Sequence, residues 1–173
     1  DGFEAIGIDH FARPGDTLAI AQIKGTLRRN FQGYTDDTSE VLIGLGASSI
    51  SKFPQGYSQN AAATSAYVKH VLNGELAGMR GYKMTLQDSV TARMIETLMC
   101  QFTLDADALA AQFPAADDLI RAKMKMIADR FPDHFDATPG RLIVKNASRP
   151  LVRIFAHGLD AFESPGKRHS SAI

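Results

Sequence analysis

Apolar residues near the start of the chain come in short β-prone runs. Residues 3–11 (FEAIGIDHF) set Phe and Ile among small residues, and Arg13-Pro14-Gly15 follows as a turn signal; this predicts a strand. Asp16 or Thr17 then caps a helix to about Arg29, with Leu18, Ala21 and Leu27 on its apolar side. Gly25 weakens its last turns. After a polar connection, residues 41–51 (VLIGLGASSIS) predict a buried strand running into a Gly/Ser loop. Strand, helix, strand is the grammar of a parallel α/β sheet, although two strands cannot close a domain.

Residues 61–72 predict a helix ended by Asn73-Gly74. Gly74, Gly78 and Gly81 mark a connector and place a domain boundary after residue 78. The rest is mainly helical. Thr85 or Asp88 opens a helix to about Phe102, with Val90, Met94, Leu98 and Phe102 four apart. Asp105 starts a short helix over 106–113, and a longer one over 116–130 carries the stripe Ile120, Met124, Ile127 and Phe131. Thr138-Pro139-Gly140 between FDA and RLIV predicts a β-hairpin. Ser148 is placed to cap a last helix through Phe162. The division expected is 1–78, a winged-helix-like 79–164, and a polar tail over 165–173.

Composition narrows the function. The chain has 173 residues, 45% hydrophobic and 22% charged, enough for one ordinary domain or two small ones. Nineteen basic residues balance nineteen acidic ones, for a formal charge of +0, which argues against a nucleic-acid partner. The helix that would read DNA in a winged module carries Arg121, Lys123, Lys125 and Arg130 against Asp117, Asp118 and Asp129. That leaves little charge for phosphate contacts. No apolar run reaches the roughly 18–20 residues of a membrane span. One cysteine, Cys100, rules out an internal disulfide and a Cys-based zinc or iron–sulfur site from this chain alone. It sits near the end of an apolar helix and reads as core. A lone core thiol also fits a reducing compartment, and the expected location is cytoplasmic. An opening at Asp1 without methionine reads as a piece of something longer.

Three stretches could carry chemistry. Gly44-Leu45-Gly46 with Ser48, Ser49 and Ser51 could bring backbone N–H groups to a ligand, or could be a tight strand exit. It lacks the third glycine of a dinucleotide fingerprint and the Gly-Lys-Ser/Thr of a P-loop. Asp9-His10 could supply a base and a carboxylate. As neighbours on a strand they point to opposite faces, so they are not expected to pair with each other. The other histidines (His70, His134, His157 and His169) have no metal-site spacing. Arg28 to Tyr34 (RRNFQGY) offers cations, an amide and two aromatic faces, or else a helix C-terminus whose arginines complement its dipole.

Three blocks in order identify a family. Ile6 to Ala12 (IGIDHFA), Arg29 to Thr35 (RNFQGYT) and Gly44 to Ser51 (GLGASSIS) resemble the carboxyl-terminal part of oxygen-independent coproporphyrinogen III oxidase. The Leu98-Met99-Cys100-Gln101-Phe102 block and the Ser-rich end extend the likeness along the whole chain. A haem chaperone of the same superfamily is the natural competitor. Its matching segment carries a His-Asn…Tyr-Trp pattern, whereas this chain reads Asn30-Phe31-Gln32-Gly33-Tyr34 and has no tryptophan.

The resemblance implies a radical S-adenosylmethionine (SAM) enzyme of haem biosynthesis. In that family a [4Fe–4S] cluster on three cysteines cleaves SAM, and the adenosyl radical removes a β-hydrogen from a propionate. Loss of carbon dioxide and one electron leaves a vinyl group; two rounds give protoporphyrinogen IX. The family's CxxxCxxC motif is absent here. The implied fold is therefore the last βα elements of an incomplete (β/α) barrel followed by a mostly α, winged-helix-like domain. The chain alone is expected to be inert, lacking the N-terminal barrel portion, and to self-associate through exposed strand edges. By resemblance Ile50, Phe31 and Gln32 are cofactor-binding, near SAM, and Arg29 contacts a propionate of coproporphyrinogen III. Asp9 and His10 match the family block without an assigned role. The alternative function is an interaction module without catalysis.

Overall fold

The computed structural model describes residues 2–160. Within them the chain forms two compact units, 2–36 together with 90–160, and 37–89. The boundary expected after residue 78 instead falls at the start of a strand.

The first unit opens with a hairpin. β1 (Glu4–Ile6) pairs antiparallel with β2 (His10–Ala12), Ile6 opposite His10. The single strand expected over 3–11 is therefore folded in two. Gly7 takes a left-handed φ of 58° and reverses the chain, which an alternating pattern cannot reveal. α1 (Thr17–Ile23) follows, its N-terminus capped by the Asp16 carboxylate accepting from Leu18 N at 2.9 Å. It stops short of Arg29 because Gly25, at φ 68°, exits it in a left-handed conformation. Gln22 ties this helix to the hairpin, accepting from Gly7 N at 2.8 Å and donating to Ala5 O at 2.9 Å. β3 (Arg28–Arg29) and β4 (Tyr34–Thr35) then form a second antiparallel hairpin.

The larger core of this unit lies around α3 (Leu86–Gln101), which enters it at Val90. Val90, Met94, Leu98 and Phe102 are all buried, as their four-residue spacing predicts. β8 (Thr103–Asp105) leads to α4 (Ala106–Gln112), capped by Asp105, which accepts from Ala108 N at 2.9 Å. α5 (Asp117–Arg130) buries Ile120, Met124 and Ile127. β9 (Phe135–Thr138) and β10 (Arg141–Val144) are the expected hairpin, and β8 adds to it in the order β8-β10-β9. A three-residue strand between two helices leaves too short a pattern to read in advance. α6 (Val152–Leu159) closes the unit and packs Phe155 among Phe131, His134 and Phe135. Ser148 does not cap it. A 3-10 turn over Asn146–Leu151 intervenes, and the buried Ser148 hydroxyl lies 3.0 Å from His134 Nδ1. The expected continuation to Phe162 and the tail over 165–173 lie outside the described residues.

The second unit is a three-stranded sheet, β5 (Ile50–Phe53), β6 (Gly56–Asn60) and β7 (Gly78–Lys83), in that order. α2 (Thr64–Leu72) connects β6 to β7 and ends at Asn73, with Gly74 at φ 72°. Two expectations change here. The run 41–51 is no buried strand: Ile43 and Leu45 are 60% and 84% exposed, and before Ile50 only Leu42 makes a bridge, to Lys52. The glycine-rich connector is the strand β7, whose glycines permit close backbone approach. A Cβ on Gly78 would stand 3.1 Å from the Ser58 Oγ of β6, and across the same pair a Cβ on Gly56 of β6 would overlap the Tyr82 carbonyl. Every strand pair among the described residues is antiparallel, so the parallel sheet expected within this stretch is not formed.

Candidate functional site

Residues 28–35 are a short hairpin rather than a helix C-terminus, because α1 has already ended at Ile23. Its tip, residues 30–33, is built by Asn30. The side-chain oxygen accepts from Gln32 N at 2.8 Å and Gly33 N at 3.2 Å, and Asn30 N donates to Gly33 O at 3.0 Å. An amide that satisfies the loop's own backbone in this way presets its shape. Phe31, 56% exposed, and Gln32 occupy the tip.

α3 holds the base of this hairpin. Glu96 accepts from Arg28 Nη1 at 3.1 Å, Arg93 Nη1 at 2.7 Å and Arg29 N at 3.3 Å. Arg29 places its guanidinium 5.4 Å from the centroid of the Tyr34 ring, the residue opposite it in register. The Tyr34 hydroxyl donates to Met99 O at 3.1 Å and accepts from Ile8 N at 3.3 Å. Burial pushes its pKa above the usual phenol value.

Beside this ring lie Asp9 and His10. They do pair: His10 Nδ1 and Asp9 Oδ1 are 2.8 Å apart. The opposite-face argument fails because Asp9 sits in the turn between β1 and β2, where strand alternation does not hold. Arg153 of α6 donates to the other Asp9 oxygen at 2.6 Å. The His10 hydrogen bond, with help from the Arg153 and Arg29 charges, lowers the Asp9 pKa below its ordinary value. The His10 ring meets Tyr34 edge-on at 5.1 Å. Sequence reasoning missed Arg153 and Glu96; separations of 144 and 68 residues from their partners leave no local signal.

Arg29, Phe31 and Gln32 thus share one hairpin. Ile50 lies in the other compact unit, half-buried on β5 opposite Gln59. The Gly/Ser loop before it spends its polar groups internally. Gly44 N donates to Ser51 Oγ, Gly46 N to Tyr67 Oη and Ser48 N to Ala61 O, while Asn60 Nδ2 donates to the Gly44 and Gly46 carbonyls. Those three amides are not available to cradle an anion.

Cys100 is buried, and loss of solvent with the nearby Glu96 charge pushes its thiol up to about 12. Among the described residues no group of three or more His, Cys, Asp or Glu could hold a metal. The residues present therefore do not fit an iron–sulfur cluster. No described helix is long and apolar enough to cross a membrane.

By fold, the chain matches part of a radical SAM enzyme. The solved structure of coproporphyrinogen III oxidase from Escherichia coli, described as a radical SAM enzyme, superposes with a TM-score of 0.84 at 34% identity, covering 93% of this chain and 38% of that one. No family model matches. Oxygen-independent coproporphyrinogen III oxidases from Cereibacter sphaeroides and Paracoccus denitrificans are 49% and 46% identical over 172 and 173 residues, 99% and 100% of this chain. One from Bradyrhizobium diazoefficiens is 42% identical over 174 residues. Along essentially its whole length the chain is therefore similar to one part of the oxygen-independent coproporphyrinogen III oxidases. It spans 38% of the length of the first two relatives.

Proposed function

We propose that these residues are the carboxyl-terminal portion of a coproporphyrinogen III oxidase, acting in the oxidative decarboxylation of two propionates to vinyls. The observation that carries the reading is identity of 46–49% along essentially the whole chain to oxidases of that name. The preset loop at residues 30–33 supports it, because it holds an aromatic face and an amide outward on a hairpin anchored to α3. In this reading the Phe31 ring packs against an apolar face of SAM, and Gln32 hydrogen-bonds to it. When bound, SAM would supply the radical chemistry that removes a β-hydrogen from the propionate. The chain's own part is positioning: Arg29 offers a guanidinium fork to a propionate carboxylate, and the helical unit screens the reacting carbon from water.

Residues 90–144 run helix, strand, helix, helix, strand, strand, the order of a winged-helix module, proposed here as a cover over the barrel mouth. Its role in DNA binding is disfavoured by the +0 charge. The chain alone, without cluster ligands, is proposed to be inert. It is also proposed to self-associate through β7, an edge strand whose six residues are all exposed.

The test is a chimera. These 173 residues replace the matching stretch of the Paracoccus denitrificans oxidase, and anaerobic turnover of coproporphyrinogen III is measured after cluster reconstitution. Turnover within an order of magnitude of the parent supports the proposal. A folded, cluster-loaded chimera without turnover overturns it.

A further inference from the structure

The Asp9–His10 pair has no place in the reading above, yet its geometry is that of a prepared ligand group. His10 is fixed at one nitrogen only. Nδ1 lies 2.8 Å from Asp9 Oδ1, and Asp9 is itself held through its second oxygen by Arg153 at 2.6 Å. Such a chain sets the ring's orientation, and in the neutral form it places the proton on Nδ1. Among the described residues nothing hydrogen-bonds to Nε2.

That nitrogen is kept open by a glycine. A Cβ on Gly33 would stand 3.0 Å from His10 Nε2, so any side chain there would crowd it. Gly33 also has a φ of 150°, which a side chain would strain. The open nitrogen therefore borders the loop that carries Phe31 and Gln32. The His10 side chain is 42% exposed, accessible to a ligand. Around it stand the Tyr34 ring, edge-on at 5.1 Å, and Asp9, on whose carboxyl the His10 ring, Arg153 and Arg29 all act.

We infer that His10, oriented by Asp9 and Arg153, is a carboxylate-binding residue whose Nε2 donates to an acid group of the ligand, beside Arg29. This rests on the reading above, in which that acid group is a propionate. A carboxylate at Nε2 puts the ring between two anions, the ligand and Asp9, and favours the imidazolium. Binding of a carboxylate there therefore raises the proton occupancy of the ring, and the complex takes up protons. A merely structural His10 would take up none.

The experiment uses the chain and coproporphyrin III, an air-stable tetracarboxylate, at pH 8. Calorimetry in Tris and in HEPES, whose ionisation enthalpies differ, counts protons taken up; ring nitrogen chemical shifts of His10 follow the same titration. Expected are net proton uptake on binding and a His10 shift toward the imidazolium. His10→Ala should weaken binding about ten- to a hundredfold, the range of one charge-assisted hydrogen bond. His10→Gln, which keeps a donor, should recover part of the affinity without proton uptake, and Asp9→Asn should lose the uptake. Coproporphyrin III binding with no proton uptake and an unmoved His10 ring overturns the inference and leaves the tetrapyrrole reading standing. Proton uptake with glutarate but no binding of coproporphyrin III supports the carboxylate site and counts against that reading. A His10 ring indifferent to both ligands overturns the inference, and the wild-type readouts decide it even if a variant fails to fold.

Discussion

Replacing Gly7 by alanine puts a methyl group where the Tyr34 ring now lies, since a Cβ at that position overlaps Tyr34 Cζ and Oη. Two costs add. The φ of 58° is left-handed, which disfavours an L side chain by about 1–2 kcal/mol. The ring must also move, and Tyr34 is pinned at its hydroxyl by Met99 O and Ile8 N. Losing two neutral hydrogen bonds costs about 1 kcal/mol each, and losing the edge-on contact with His10 about 0.5–1.5 kcal/mol more. Gly7→Ala should therefore destabilise the unit by about 4 kcal/mol, a large share of an ordinary domain's stability. Urea unfolding followed by circular dichroism measures it. The decisive comparison is the same substitution in a Tyr34→Ala background, where only the backbone cost, about 1–2 kcal/mol, should remain. An equal cost in both backgrounds, or less than about 1 kcal/mol in the native one, refutes the packing argument.

Glu96→Gln removes the charge shared by Arg28, Arg93 and the Arg29 amide; about 1.5–3 kcal/mol should be lost, and hydrogen exchange at Arg29 N–H should speed up ahead of that at Leu98. The Cys100 thiol should resist a disulfide reagent at pH 8 in the folded chain and react at once in 6 M guanidinium. Its folded pKa of about 12 lies above the ordinary 9.0, so the stability it contributes is complete below pH 9 and declines up to pH 12. The slope is at most about 1.4 kcal/mol per pH unit, and Cys100→Ala should flatten that part of the profile. Asp105→Ala, which removes the cap on α4, should cost about 1 kcal/mol by thermal unfolding. Light scattering tests the exposed edge of β7: Lys83→Pro, at a position whose N–H faces away from β6 on a strand paired on one side only, should reduce self-association, and a chain that stays monomeric at high concentration contradicts that proposal.

What the sequence determined by itself is what short-range physics controls. The Asp16 and Asp105 caps, the buried face of α3, the stripe on α5 and the β9–β10 turn are each written within one or two turns of chain, where spacing and capping chemistry act directly. The three blocks that carry the likeness to the oxidases were equally legible, because they are contiguous. The tertiary structure alone decided the rest. One left-handed glycine turned an apparent strand into a hairpin and brought Asp9 round to His10. Glycine-rich residues 78–83, which have the composition of a linker, became a strand because β6 was there to pair with them. Arg153 reached Asp9 across 144 residues, and Glu96 gathered Arg28 and the Arg29 amide across nearly 70. Contacts of that range depend on how helices and hairpins dock, and docking leaves no periodicity in the residues that it joins.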